Sequence, residues 1–105
     1  MGKLVRDRIP EIMRKEGKTP AIRKVEGNEL RQALKDKLVE EAGELRQAEN
    51  ISEELADVLE VIDALIDAYG LNLKEIASLK ERKKIIRGSF RNGSYLVDGT
   101  DGTYT

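Results

Sequence analysis

The 105-residue sequence contains no cysteine and no histidine, and these two absences narrow the possible chemistry. Without cysteine the chain has no disulfide framework, no thiol nucleophile and no thiolate zinc site. Without histidine it has no imidazole base and no histidine metal ligand. Any catalysis therefore depends on carboxylates, hydroxyls, lysine, arginine or a hard metal cation.

Large aromatic side chains and long apolar runs are also scarce. The chain has no tryptophan, one phenylalanine and three tyrosines, so a single domain over residues 1–105 has a modest core, and we expect a homo-oligomer. No apolar run approaches the roughly 18 residues of a membrane span, and the start of the chain is too polar for a signal peptide. We expect a cytoplasmic protein without a membrane partner, with residues 99–105 as a frayed tail.

Charged residues are abundant and unevenly distributed. Residues 1–37 hold 11 lysines and arginines against 6 acidic residues, residues 38–79 hold 2 against 11, and residues 80–105 hold 6 against 3. An acidic middle between basic flanks suits a metal ion that carries a phosphorylated ligand, and we expect no nucleic acid partner. Solvated helix faces with ion pairs are the alternative interpretation.

Apolar spacing predicts an all-α fold, a small helical bundle built on an antiparallel helical hairpin. The predicted helices run from about Asp7 to Gly17, from Asn28 to about Glu49, from Ser52 to Tyr69, and from Asn72 to just before Gly88, with Asp7, Asn28, Ser52 and Asn72 as N-caps. The segments 18–27 and 93–98 are possible short strands.

Two carboxylates fall inside apolar helix stripes. At about 100° per residue, Glu41 lies within the stripe of the second helix and Glu44 lies about 60° to one side. In the third helix Glu54 lies within the stripe, and Asp57 lies about 60° to the same side. Because burying an unpaired carboxylate costs several kcal/mol, a shared divalent cation is a natural way to neutralise such a set. Oxygen-only ligation favours Mg²⁺, or Mn²⁺ as a substitute.

Simpler roles exist for the same acids. Lys37 lies four residues before Glu41 and is placed to pair with it. Glu54 lies near the start of its helix, where a carboxylate interacts favourably with the helix dipole. The metal interpretation rests on the doubled pattern rather than on any single acid.

The acidic motif resembles a known signature. Residues 40–44 (EEAGE) and 54–57 (ELAD) resemble the EExxE…ExxD pattern of the MazG-type, all-α nucleoside triphosphate pyrophosphohydrolases. Residues 3–12 (KLVRDRIPEI) and 83–90 (KKIIRGSF) resemble a house-cleaning subgroup related to phosphoribosyl-ATP pyrophosphohydrolases. The resemblance implies Mg²⁺ ligation by Glu41, Glu44, Glu54 and Asp57, assembly as a homodimer or homotetramer, and cleavage of a nucleoside triphosphate into a monophosphate and pyrophosphate. In such a reaction Glu41 or Glu44 is the carboxylate expected to orient the attacking water, and the sequence does not separate the ligand from the base.

The chain departs from that family in two ways. Only nine residues separate Glu44 from Glu54, which is shorter than in many MazG-type sequences. The histidine-bearing segment typical of the phosphoribosyl-ATP branch is absent, which disfavours that activity without removing it as an alternative. A non-catalytic helical oligomerisation or interaction module is the alternative from another class.

Two groups of cations are candidate phosphate contacts. Lys80, Lys83 and Arg87 share one side of the fourth predicted helix, and Lys3 and Arg6 lie near the start of the chain. Favourable charge at a helix C-terminus and simple solubility explain the same residues equally well. No glycine-rich Walker loop is present, so phosphate binding would depend on cations and metal.

Overall fold

Four α-helices make up the ordered secondary structure of the computed structural model, which describes residues 2–97. They are α1 (Ile9–Lys15), α2 (Gly27–Gln47), α3 (Ile51–Ala68) and α4 (Leu73–Arg87). The predicted all-α class is confirmed. The tail expected at 99–105 lies outside the described residues.

The strands expected at 18–27 and 93–98 are not formed in the described residues, so that prediction is wrong as far as position 97. Most of residues 18–26 and 93–97 has no regular secondary structure, and Gly27 already belongs to α2. A strand needs a neighbouring strand to pair its backbone N–H and C=O groups, and residues 2–97 supply none. Position 98 lies outside the described part of the chain.

Helix α1 begins later than expected. Its N-cap is Arg8 rather than Asp7, no side chain caps it, and Pro10 occupies the first turn, where a missing N–H costs nothing. Gly17 follows the helix with a φ of +81°, and its N–H donates to the carbonyl of Arg14 at 3.0 Å. The glycine therefore ends the helix, as predicted.

The ends of α2 and the start of α3 differ from the predicted caps. Helix α2 begins at Gly27 with Glu26 as its N-cap, so Asn28 lies inside the first turn, and the helix ends at Gln47 instead of Glu49. Asn50 is the N-cap of α3, and its side chain accepts a hydrogen bond from the Glu53 N–H at 3.2 Å. Ser52, the predicted cap, lies one residue inside the helix.

A left-handed glycine ends α3. Gly70 has a φ of +63°, its N–H donates to the Asp67 carbonyl at 3.0 Å, and the Leu71 N–H donates to the Ile66 carbonyl at 2.9 Å. These bonds satisfy the last free carbonyls of the helix, which is the role predicted for this glycine. Helix α4 then begins after Asn72 and ends before Gly88, also as predicted.

Helices α2 and α3 pack against each other across the three-residue connection 48–50. Arg31 and Lys35, near the start of α2, lie 5.7 Å and 5.3 Å from the ring centre of Tyr69, just after the end of α3. The start of one helix therefore meets the end of the other, so they run antiparallel. Among the described residues 2–97, the buried apolar residues are Leu34 and Val61.

The chain divides after Asn72 into two units. The first contains α1, α2 and α3, together with the candidate metal ligands, and the second contains α4. No helix within residues 2–97 has the length and apolar character needed to cross a membrane.

Candidate functional site

Helices α2 and α3 bring together three of the four predicted metal ligands. One carboxylate oxygen from each of Glu41, Glu44 and Glu54 lies within 4.8 Å of the other two. We call these three side chains the glutamate cluster. Glu41 and Glu44 come from adjacent turns of α2, and Glu54 comes from the first turn of α3 across the short connection. This spacing lets a single cation touch all three groups.

The cluster contains carboxylate oxygens that lack a partner. Glu41 is 7% exposed, and its Oε2 atom is buried without a hydrogen bond to any described residue. The Oε2 atom of Glu54 is buried and unpartnered in the same way within the described residues, whereas the Glu44 side chain is exposed. Leaving a buried charged oxygen unpaired costs at least 1–3 kcal/mol, so the arrangement favours a bound positive charge.

The electrostatics of Glu54 reflect this crowding. Burial raises the pKa of the Glu54 carboxyl above its ordinary value, and the negative charges of Glu44, Asp57 and Glu41 raise the pKa further. A cation placed among these groups would oppose that upward shift, because it favours the ionised form.

Lys37 partly neutralises the cluster, as the simpler interpretation of Glu41 predicted. Its Nζ atom lies 3.5 Å from Glu41 Oε1 and 3.1 Å from Glu40 Oε2. Partial burial lowers the pKa of Lys37, but hydrogen bonding and the charges of Glu40 and Glu41 outweigh burial and raise it overall. Lys37 contacts Oε1 of Glu41, so Oε2 keeps no partner among residues 2–97.

Asp57, the fourth predicted ligand, does not join the cluster. Its Oδ1 atom accepts a hydrogen bond from Arg6 Nη2 at 2.7 Å. Arg6 was predicted as a phosphate contact, so two residues expected at the site are bound to each other. The pair joins positions 51 residues apart, and no local pattern in the sequence signals it.

The other N-terminal cation is also paired. Lys3 Nζ lies 3.3 Å from Glu40 Oε1, and Glu40 also pairs with Lys37. The hydrogen bond from Lys37 lowers the pKa of Glu40, burial opposes that shift, and the contact with Lys3 adds to it, so the pKa is lowered overall. These contacts attach the segment before α1 to α2. No local pattern in the sequence predicts that Glu40 joins the two segments.

A groove of about 760 Å³ lies beside the cluster within the first unit. Its apolar walls include Leu30, Leu34, Val61 and Ala64 from α2 and α3, and Arg6, Lys37, Glu41 and Asp57 supply its charged part. The groove therefore joins an apolar surface to the charged groups of the candidate site. Periodicity identified its apolar helix positions, but not the N-terminal segment that forms one side.

Three predicted phosphate contacts belong to the second unit. Lys80, Lys83 and Arg87 lie on α4, and they form no ion pair with another side chain in the described range. Their contact with phosphate stays a prediction.

Comparison with known proteins gives a partial match and no family. A Mycolicibacterium smegmatis (strain ATCC 700084 / mc(2)155) protein described as uncharacterized is 53% identical over 49 residues, which cover 47% of this chain and 50% of that protein. The match thus spans about half the length of this relative. No protein-family model matches the chain, and no solved structure does.

The donor set fits a hard divalent cation. All three cluster ligands are carboxylate oxygens, which Mg²⁺ and Mn²⁺ prefer, and two of the three residues carry a buried oxygen without a partner among the described residues. A hard cation that also binds water and phosphate oxygens would complete this set.

Proposed function

We propose that the chain is a Mg²⁺-dependent nucleoside triphosphate pyrophosphohydrolase that cleaves between the α and β phosphates, with non-canonical nucleotides as substrates in a house-cleaning role. The observation that carries the proposal is the glutamate cluster with its unpartnered buried oxygens on Glu41 and Glu54. The resemblance of residues 40–44 and 54–57 to the MazG-type signature supports the same activity.

Glu41, Glu44 and Glu54 would hold the cation, which when bound supplies positive charge for the phosphates and a more acidic water. Glu44 is the exposed member of the cluster, so it is the carboxylate best placed to accept a hydrogen bond from water that enters from solvent. Glu41 is the more buried, and its contact with Lys37 fixes its orientation.

The surrounding residues have roles that fit a nucleotide. The apolar walls of the groove offer a surface for an uncharged part of the substrate. Lys3 and Arg6 would bind phosphate oxygens that the cation does not reach. Phosphate contact by Lys80, Lys83 and Arg87 of the second unit stays a separate prediction. Release of pyrophosphate then leaves a nucleoside monophosphate.

A nucleotide panel tests the proposal directly. Purified protein is incubated with Mg²⁺ and canonical, deaminated and oxidised nucleoside triphosphates, and with phosphoribosyl-ATP, and the products are separated by ion-exchange chromatography. We expect a monophosphate and pyrophosphate from at least one triphosphate, and a loss of at least 100-fold in Glu44→Gln. Glu49→Gln, an exposed acid of the same charge beyond the end of α2, is the control and should keep full activity.

A non-catalytic interaction module is the second candidate, and the ion pairs favour it. Lys37 already contacts Glu41, and Arg6 already contacts Asp57, so two of the four acids have a cation without any metal. Under this alternative, neither Mg²⁺ nor EDTA changes the melting temperature, and no triphosphate is cleaved.

We also propose that the chain acts as a homodimer or homotetramer. Leu55, Leu59 and Ile62 repeat at helical spacing on α3 and are exposed, which leaves an apolar strip for a second copy. The cytoplasmic location expected from the sequence stays a prediction.

A further inference from the structure

Arg6 is a predicted phosphate contact and Asp57 is a predicted metal ligand, yet the two side chains are bound to each other. The guanidinium donates to Asp57 Oδ1 at 2.7 Å, a normal charge-assisted hydrogen bond. While this bond lasts, the positive charge of Arg6 offsets the negative charge that Asp57 would present to a cation. The N–H group of Arg6 that donates to Asp57 is also unavailable to a phosphate. The contact therefore restrains both residues at once.

Asp57 is close enough to the glutamate cluster to matter there. It lies one turn after Glu54 on α3, and its charge contributes to the raised pKa of Glu54. Its absence from the cluster is thus explained by the partner it has, since the helix already carries it to the edge of the site.

Arg6 is placed to be displaced by an incoming anion. Its side chain is 56% exposed, and it lines the same groove as Glu41 and Asp57. It belongs to the segment before α1, which has no regular secondary structure and is attached to α2 through Lys3 and Glu40. A guanidinium binds phosphate oxygens in two-point fashion, so a polyphosphate competes well with a single carboxylate.

We propose that Arg6 is a positioning residue that exchanges Asp57 for a phosphate of the substrate, so that Asp57 becomes a cation ligand only after the nucleotide has bound. The inference rests on the proposed function of the glutamate cluster. Nucleotide and cation then assist each other's binding, and this coupling is reciprocal by thermodynamic linkage. The exchange keeps the ligand set incomplete until the substrate is present.

Binding of Mn²⁺ alone to the full chain tests the exchange without any reaction. Titration calorimetry measures the Mn²⁺ affinity with and without a non-hydrolysable triphosphate. In Arg6→Gln we expect the affinity without nucleotide to rise by about tenfold, because Asp57 is released. The additional affinity that the nucleotide confers should shrink by a similar factor.

Two further variants separate release of Asp57 from a simple loss of positive charge. Arg8→Gln removes the same charge from the same segment, but Arg8 pairs with Glu11, so the Mn²⁺ affinity should stay within about twofold of wild type. In Asp57→Asn the Mn²⁺ affinity without nucleotide should match that of wild type. In the double variant that also carries Arg6→Gln, the Mn²⁺ affinity should not rise further. Equal gains from Arg6→Gln with and without Asp57 would overturn the exchange.

Failure of the exchange and failure of the proposed function give different results. A wild-type chain that binds no Mn²⁺ and cleaves no triphosphate overturns both. A wild-type chain that binds Mn²⁺ and releases pyrophosphate, with Arg6→Gln and Arg8→Gln equal in Mn²⁺ affinity, overturns the exchange alone. Circular dichroism and thermal unfolding of each variant confirm that it is folded before the affinities are compared.

Discussion

At the level of single residues, the glutamate cluster places a carboxylate, that of Glu41, in the interior of a small helical unit. Glu41 is as well buried as Val61, although an ionised carboxylate loses far more by leaving water than an aliphatic group gains. Lys37 offsets part of that cost through Oε1, and Oε2 is left without a partner in residues 2–97. We therefore expect Glu41 to weaken the metal-free fold, a cost that a bound cation would offset.

Glu41→Gln should separate stability from cation binding. Removing the buried charge should leave the metal-free free energy of unfolding unchanged or raise it by about 1 kcal/mol. The same variant should lose the rise in melting temperature that Mg²⁺ gives wild type, since stabilisation by a ligand follows its affinity for the folded state. Urea unfolding in EDTA and thermal unfolding with Mg²⁺ measure the two effects. Retention of the full Mg²⁺ effect would contradict the assignment of Glu41 as a ligand.

The raised pKa of Glu54 predicts a specific pH dependence. In metal-free protein the folded state holds the Glu54 proton more tightly than the unfolded chain, whose ordinary pKa is near 4.5. The stability that protonated Glu54 contributes is fully present below the pKa of the unfolded state, and it is lost as the pH rises through the pKa of the folded state. The penalty of ionised Glu54 therefore appears above pH 4.5 and reaches its limit above the raised value.

Glu54→Gln removes that penalty, so its melting temperature in EDTA should exceed that of wild type by a margin that grows from pH 4.5 to neutral pH. Glu53→Gln, an exposed neighbour in the same first turn, serves as the control for the helix dipole. A margin of equal size at all pH values would show that Glu54 ionises normally.

The helices illustrate how end signals depend on geometry as well as residue type. Asn50 and Ser52 are both good N-cap residues and lie two positions apart, so sequence pattern alone does not choose between them. The structure selects Asn50, because its side chain reaches the Glu53 N–H at the start of α3. The cap also orients the first turn, which carries Glu54 into the cluster.

Asn50→Ala should destabilise the first unit by about 1 kcal/mol, because the Glu53 N–H loses its acceptor. Ser52→Ala should change the free energy of unfolding by less than about 0.5 kcal/mol, since the residue lies inside the helix and is exposed. Urea unfolding followed by circular dichroism compares the two. A larger loss of stability from Ser52→Ala than from Asn50→Ala would show that Ser52 is the N-cap, as the sequence predicted.

At the scale of the molecule, few apolar side chains are buried in the part of the chain that the structure describes. Leu34 and Val61 are buried among the described residues, while Leu55, Leu59 and Ile62 on α3 stay exposed. Burial of an aliphatic side chain contributes about 1.5–3 kcal/mol, so a chain that leaves such groups in water gains by associating. Together with the small core expected from the composition, this exposure supports the proposed homo-oligomer.

Leu59→Glu should weaken self-association by at least tenfold, because it places a charge in the apolar strip of α3, where Leu59 is 60% exposed. Light scattering coupled to size-exclusion chromatography, run over a range of concentrations, measures the molar mass. Ile22→Glu, an exposed aliphatic position in the segment between α1 and α2, is the control. A monomeric wild-type chain would contradict the oligomer, and equal masses for the two variants would contradict the α3 strip as its interface.

Local pattern was sufficient for the helices and for much of the candidate site. Apolar periodicity predicted α2 and α3, because a helix repeats every 3.6 residues and its buried face must be apolar. The same periodicity placed Glu41 and Glu54 inside the apolar faces, where the structure finds buried carboxylate oxygens on both. Gly70 and Gly88 ended their helices because few other residues adopt a positive φ.

Contacts between distant segments were beyond reach of the sequence. Asp57 belongs to the same helix face as Glu54, so periodicity grouped it with the other acids, but folding brings Arg6 to it from 51 residues away. Lys3 reaches Glu40 in the same manner. Spacing along a helix fixes which side chains share a face, whereas packing of the N-terminal segment on α2 and α3 decides which of those side chains already has a partner. That difference separates the three clustered glutamates from Asp57.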